Sequence, residues 1–278
     1  MKKLSIILVC FLVGFATACK EEKTQIPVAT EEAPTEIKVR GVEVTYATDS
    51  TNLKGYMAYN ENSTAKRPGV LIIHEWWGHN DYVRERADML AELGYTAFAV
   101  DMYGDGKQAA HPQDAGKFAG AVMSNMPEAE ARFNAALALL RSHESVNADQ
   151  TAAIGYCFGG SVALTMANSG ADLDAVIAFH SGVSLPVMPN DQLKARVLVC
   201  NGGADGFISP ESITAFKAAM DSINAKYEYI SYPGVKHSFT SKEADANAKK
   251  FGMDIAYDAD ADQQSWTSLQ ALFNEVFE

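Results

Sequence analysis

Ala152-Ala153-Ile154-Gly155-Tyr156-Cys157-Phe158-Gly159-Gly160-Ser161 is the stretch on which the fold turns. The apolar run from Thr151 to Tyr156 reads as a buried strand, and Ser161 to Asn168 has helical composition. Between them Cys157 stands at a corner, with Gly155 and Gly159 two residues to either side. Glycine lets the backbone turn sharply without a Cβ clash. A side chain at such a corner lies at the amino end of a helix, whose free N–H groups and partial positive charge favour an anion. That position suits a thiol, because a helix amino terminus lowers a cysteine pKa and the thiolate is the attacking form. Strand, tight turn and helix around a nucleophile form the nucleophile elbow, here Gly-x-Cys-x-Gly in place of Gly-x-Ser-x-Gly. Alone, the stretch also fits a buried cysteine in a glycine turn, since free Cys packs as a small apolar residue.

Around this stretch, short apolar strands alternate with helical segments. Val42 to Thr48 and Leu53 to Tyr59, separated by Asp49-Ser50-Thr51-Asn52, read as an antiparallel hairpin. Val70 to His74, Tyr95 to Val100, Leu173 to Phe179, Val197 to Cys200 and Tyr227 to Tyr232 read as further strands. Helices are predicted over Asp81 to Leu93, ending at Gly94, and over Ala115 to Met123, Glu128 to Ser142, Pro210 to Asn224 and Gln263 to Phe277. Asp101 to Gln113 reads as a long loop. The pattern predicts an α/β fold: a mostly parallel sheet covered by helices on both faces, with an antiparallel hairpin at its start.

In such sheets ligands bind beyond the carboxyl ends of the strands. Glu75 and Trp76 follow Val70–His74, Cys157 follows the elbow strand, Asp205 follows Val197–Cys200, and His237 follows Tyr227–Tyr232. Nucleophile, acid and histidine thus come in the order of a hydrolase triad. A cysteine and a histidine can form an ion pair that keeps sulfur charged, and the acid fixes the imidazole tautomer. Taken singly, Asp205 also fits a turn former or the N-cap of the proline-led helix, and His237 a surface residue.

The chain's 278 residues comprise 47% hydrophobic and 10% aromatic residues, enough for a large core. Its net charge is −12, or −14 without Lys2 and Lys3 (21 basic against 35 acidic residues). Nucleic acid and anionic membrane surfaces are therefore poor partners. Residues 1–18 read as a signal peptide: Lys2-Lys3, an apolar Leu4 to Phe15, then Ala16-Thr17-Ala18 before Cys19. Small residues before a cysteine resemble a lipobox, although Ala16 stands where leucine is usual, and they imply cleavage before Cys19 and its lipidation. Ordinary cleavage to a soluble periplasmic protein is the alternative. Lys20-Glu21-Glu22 resembles the export tag of surface lipoproteins and equally a charged tether. Residues 19–36, with Pro27, Pro34 and five glutamates, read as a flexible tether, leaving one folded domain over 37–278.

Four stretches resemble the dienelactone hydrolase family of α/β-hydrolases: His74-Glu75-Trp76-Trp77-Gly78-His79-Asn80, Gly155-Tyr156-Cys157-Phe158-Gly159-Gly160, Gly202-Gly203-Ala204-Asp205 and His237-Ser238-Phe239. Asp101-Met102-Tyr103, Tyr257-Asp258 and Ser265-Trp266 extend the likeness. The resemblance implies Cys157 as nucleophile, His237 as general base then acid, Asp205 as its orienter, and Glu75 as the carboxylate that contacts the nucleophile. It implies an oxyanion hole from the backbone N–H groups of Phe158 and Trp76. Trp77, Tyr103 and Ser238 are the expected substrate contacts, with one of Trp76 and Trp77 lining the pocket and the other packing. One departure matters: the arginine that grips the substrate carboxylate in dienelactone-cleaving members is replaced by Ser241. Lys242 beside it lacks the planar fork of arginine. Arg84, nine residues after Glu75, is the alternative partner for it.

His74 and His79 are spaced i, i+5 after a strand, unlike the helical i, i+4 pair of a zinc protease. Cys157 and Cys200 are expected two strands apart, roughly 9.6 Å, too far for a disulfide. His180 reads as a structural histidine. Gly155-x-Cys157-x-Gly159 lacks the third glycine of a dinucleotide fingerprint. The expected protein is a monomeric hydrolase of a small ester or lactone, needing no metal or cofactor and touching the membrane only through its anchor. The competing expectations are a non-catalytic ligand-binding or envelope-accessory lipoprotein and a redox-sensing thiol protein, the latter lacking a resolving cysteine.

Overall fold

The computed structural model describes residues 36–278; the expected signal peptide, Cys19 and all but the last residue of the tether lie outside them. β1 (Val39–Ala47) and β2 (Asn52–Asn60) form the expected antiparallel hairpin. They are followed by β3 (Arg67–Ile73), α1 (Asp81–Glu92), β4 (Thr96–Val100), α2 (Pro112–Met123), α3 (Met126–Ser142) and β5 (Val146–Tyr156). Next come α4 (Phe158–Asn168), β6 (Ala175–Phe179), β7 (Arg196–Gly202), α5 (Pro210–Ser222), β8 (Tyr227–Tyr232), α6 (Ala244–Phe251) and α7 (Ala259–Phe277). One eight-stranded sheet results, in the order β1-β2-β4-β3-β5-β6-β7-β8, with β2 antiparallel to β4 and the six strands from β4 to β8 parallel.

Side chains alternate across a strand, and the two cores follow that period. Leu71 and Ile73 of β3 join Phe98, Val176 and Val199 under α3, α4 and α5, where Phe133, Leu140 and Phe216 pack. Val70 and Ile72 point the other way, to a core with Ile154, Ile177 and Leu198 under α1 and α7, closed by Leu90, Leu269 and Phe273. A sheet buried on both faces yields continuous apolar strands, which is why β4 and β6 are wholly buried.

Helix ends follow local chemistry. α1 stops where Gly94 takes a φ of +92°, with Tyr95 N–H reaching back to Leu90 O at 3.1 Å. Ser209 caps α5 ahead of Pro210, and the Asp258 carboxylate accepts from Ala261 N–H at the start of α7. Two features differ from expectation. β5 begins at Val146, because Val146 and Asn147 already pair with Arg67 and Pro68; the register then shifts past residues 148–150, so that Gly69 pairs with Thr151. α6 is only eight residues long and fully buries Ala244 alone, its stripe being completed by the partly buried Ala248 and Phe251, so its sequence signal is short and weakly apolar.

Candidate active site

β5 ends at Tyr156, and Cys157 takes φ 54°, ψ −116° before α4 begins at Phe158. This is a strained conformation for any residue but glycine. Two glycines make it possible. A Cβ on Gly155 would stand 2.1 Å from Gly159 O, and one on Gly159 would stand 2.2 Å from Ile73 O. α4 therefore packs directly onto the backbones of β5 and β3. Cys157 N–H donates to Phe179 O at 2.9 Å, anchoring the corner to β6.

Asp205 lies beyond β7 and His237 beyond β8. Their loops are laced together: Gly203 N–H donates to Tyr232 O at 2.7 Å and Ala204 N–H to Val235 O at 2.9 Å. A Cβ on Gly202 would collide with Val235 O at 2.3 Å. The Asp205 carboxylate accepts from His237 Nδ1 at 2.7 Å and from Phe207 N–H at 2.9 Å. Nδ1 thus carries a proton, and Nε2 is the nitrogen left for Cys157. The imidazole is held between Phe207 and His180, each ring 5.1 Å away. Burial alone would lower its pKa. The charge of a Cys157 thiolate and the Asp205 carboxylate outweigh burial and push it up to about 10. Cys157 and His237 border the same cavity, and no hydrogen bond joins them in the structure.

A cavity of about 250 Å3 opens over the pair, its walls including Trp76, Phe207, Ile208 and Met253 around Cys157 and His237. The backbone N–H groups of Phe158 and Trp76 have no acceptor among the described residues, and both residues border this cavity. His74 holds the Trp76 loop. Its Nε2 accepts from Met102 N–H at 3.2 Å, so Nδ1 bears the proton and donates to Glu75 O at 2.5 Å. Burial lowers its pKa to about 4, keeping it neutral.

Several expected contacts take other places. Tyr103 lies behind the cavity wall, donating its hydroxyl to Trp76 O at 2.9 Å and packing on His74 and Phe158. Trp76 lines the cavity, whereas Trp77 lines a neighbouring one and stacks on Phe251. Ser238 does border the Cys157 cavity, and its hydroxyl donates to Glu75 Oε1 at 3.4 Å. Glu75 is 3% exposed and faces the neighbouring cavity, with no hydrogen bond to Cys157. Burial pushes its pKa up to about 7, against the opposing pull of His237, Ser238 and Arg86. Arg84 pairs with Glu43, not with Glu75. Ser241 is buried beside Glu75, and Lys242 is exposed and borders neither cavity. Cys200 is buried and free on β7, with β6 lying between it and Cys157. Burial pushes its thiol up to about 12.

Behind His237 lies a polar layer that the sequence reading missed. Arg86 donates to Thr240 O at 2.7 Å and to Asp262 at 2.8 Å, its guanidinium set over Tyr82, Tyr156 and Trp266. Thr240 Oγ1 meets both Tyr82 OH at 2.5 Å and His180 Nε2 at 2.7 Å. A signal existed: Arg86 falls in the apolar stripe of α1, between Val83 and Leu90, where a charge needs a buried partner.

Residues 53–277 match the dienelactone hydrolase family. A protein of Aquifex pyrophilus named Protein usf is 28% identical over 244 residues, 84% of this chain and 98% of that protein. A solved structure named m3DLH shares 36% identity at a TM-score of 0.81, covering 86% of this chain and 99% of its own. A dienelactone hydrolase-like promiscuous phosphotriesterase from metagenomic libraries shares 31% at a TM-score of 0.79, over 86% and 98%. With the elbow at β5, the acid after β7 and the histidine after β8, the chain belongs to the dienelactone hydrolase family of α/β-hydrolases and is an ester- or lactone-cleaving enzyme of that type.

Proposed function

We propose that the enzyme cleaves carboxylic esters or lactones through a thioester formed on Cys157. The observation that carries this reading is the 2.7 Å bond from His237 Nδ1 to Asp205, which leaves Nε2 for the sulfur at the strained elbow. The thiolate attacks the carbonyl carbon, and the oxyanion takes hydrogen bonds from the Phe158 and Trp76 amides. Donors aimed at a developing charge contribute about 3 kcal/mol each. The C–O bond breaks as protonated His237 gives its proton to the leaving alkoxide. Water then attacks the thioester, His237 takes a proton from it, and the acid departs with the thiolate restored. Asp205 holds the imidazole in the required tautomer throughout.

The cavity over Cys157 disfavours an anionic substrate, because its walls bear no lysine or arginine to hold a carboxylate. Ser241 in place of an arginine points the same way. Glu75 acts through the His237 loop, which Ser238 joins to it. Export and lipid anchoring at Cys19 complete the proposal, resting on Lys2-Lys3, the apolar stretch to Phe15 and Ala16-Thr17-Ala18. Mature protein and its Cys157→Ala variant, assayed on p-nitrophenyl acetate and small lactones, test the chemistry. Turnover should fall to background in the variant. Full activity without the thiol would refute the assignment, and a wild type inert toward every ester while binding them would favour an accessory ligand-binding protein.

A further inference from the structure

Near the Cys157 cavity lies a second one, of about 300 Å3, and side chains lining one touch side chains lining the other. Glu75 borders the second and Ser238 the first, joined by their 3.4 Å hydrogen bond. Trp77 borders the second and Trp76 the first, their rings 5.2 Å apart and edge to face. Phe251 and Met253 divide in the same way. The second cavity thus neighbours the acylation site, and the linker-length series below tests whether an ester on Cys157 reaches it.

The second cavity has the chemistry of a cation site. Glu75, Asp81, Glu85 and Glu243 line it, against the one ammonium of Lys250. None of the four carboxylates belongs to an ion pair among the described residues. Aromatic faces attract cations through the ring quadrupole, and the cavity's own lysine follows that rule, its Nζ lying 4.7 Å over the Phe251 ring. The independent observation is Glu75. It is buried and turned into the cavity, Oε1 has only the long contact to Ser238, and Oε2 has no protein partner among the described residues. A buried carboxyl with one long hydrogen bond is costly to keep charged, as its raised pKa reflects. A cationic group arriving with a ligand supplies the missing partner.

We infer that this second cavity is a subsite for an organic cation, an ammonium or quaternary ammonium group carried on the ester at the end remote from the scissile bond. The inference rests on ester hydrolysis at Cys157 for its catalytic consequence, while binding of a cation can be measured without it. Full mature protein is assayed with butyrate esters of ω-trimethylammonio alcohols, with two to six methylenes in the linker, against carbon isosteres ending in tert-butyl. At the best linker length the cationic ester should show kcat/KM about tenfold above its isostere at low ionic strength. Salt should reduce that preference, because exposed Glu85 and Glu243 act through a screened field. The double variant Glu85→Gln, Glu243→Gln should bring the ratio toward one. In parallel, tetramethylammonium chloride is titrated while tryptophan fluorescence is followed, with saturation expected through Trp77. Equal kcat/KM for cationic and neutral esters at every linker length overturns the inference. If no ester is cleaved, the hydrolase proposal fails separately, and absence of saturable tetramethylammonium binding then overturns the subsite.

Discussion

Gly159→Ala tests the elbow at its tightest point. Gly159 lies in the first turn of α4, where an added Cβ would stand 2.2 Å from Ile73 O and 2.6 Å from His74 O. Real Cβ atoms essentially never come closer than 3.0 Å, so α4 and the end of β3 must part by at least about 0.8 Å. The two sides that separate carry the two proposed oxyanion donors: Phe158 N–H opens α4, and Trp76 N–H follows β3 and His74. A displacement of about 1 Å at a reacting centre can cost on the order of 100-fold in rate. The clash is with backbone, so no side chain can rotate to relieve it. Overpacking of this kind also costs about 1–3 kcal/mol of stability, or a few degrees in Tm for a domain of this size. The assay is kcat/KM on p-nitrophenyl acetate, with Tm and far-UV circular dichroism as measures of folding. Gly120→Ala in α2 is the control: its Cβ meets nothing within 4 Å, and activity should match wild type. A Gly159→Ala protein that folds and keeps wild-type kcat/KM would show that the oxyanion donors do not depend on this close packing.

Iodoacetamide should label Cys157 well before Cys200, which is buried with a pKa pushed up to about 12 and a hydrogen bond from Tyr232; mass spectrometry showing equal labelling would count against an activated thiol at the elbow. Glu75→Gln should remove a pH dependence of stability. The folded carboxyl keeps its proton up to about 7 while the unfolded one ionises near 4.5, so the wild type loses stability as pH rises across that window. The loss is at most about 3 kcal/mol, so the variant's urea-unfolding advantage over wild type should be larger at pH 8 than at pH 4.5, and an equal difference at both would refute the buried-carboxyl account. Cells grown with tritiated palmitate should label the full chain but not Cys19→Ala, and unlabelled wild type would remove the lipid anchor.

Most of the frame was legible because each clue was redundant. A strand buried on both faces must be apolar throughout, so β4, β6 and the second half of β5 stand out in composition alone. The grouping of the proposed triad residues was legible for a different reason. Loops at one edge of a parallel sheet converge, so placing Cys157, Asp205 and His237 after their strands already brings them together. What was not legible depends on side-chain direction. Trp76 and Trp77 are adjacent, and only the backbone path after His74 decides that the first faces Cys157 and the second faces Phe251. Arg84 and Arg86 are two apart on α1 and so emerge on different faces; the exposed side pairs with Glu43, and the buried one reaches Thr240 and Asp262. α6 escaped because its apolar stripe, Ala244, Ala248 and Phe251, spans only two turns and is mostly alanine.

The distribution of backbone strain gives the site a further logic. Among the described residues, five other than glycine have positive φ, and three of them, Cys157, His180 and Ser238, lie at the cavity or against its histidine. Such conformations cost of order 1–3 kcal/mol each and persist only where the surroundings fix them. Here the fixing bonds continue the sheet's own ladder past its end. Cys157 N–H donates to Phe179 O, His180 N–H to Cys200 O at 2.8 Å, and Ser181 N–H to Asn201 Oδ1 at 2.8 Å. Each strand thus holds the sharp exit of the strand beside it, from β5 through β6 to β7. Placing Cys157, the proposed nucleophile, at the first of these exits makes its position a property of three strands, not of one loop. The thiol can then stand half exposed to substrate while the backbone that carries it is fixed by the sheet's cooperative core.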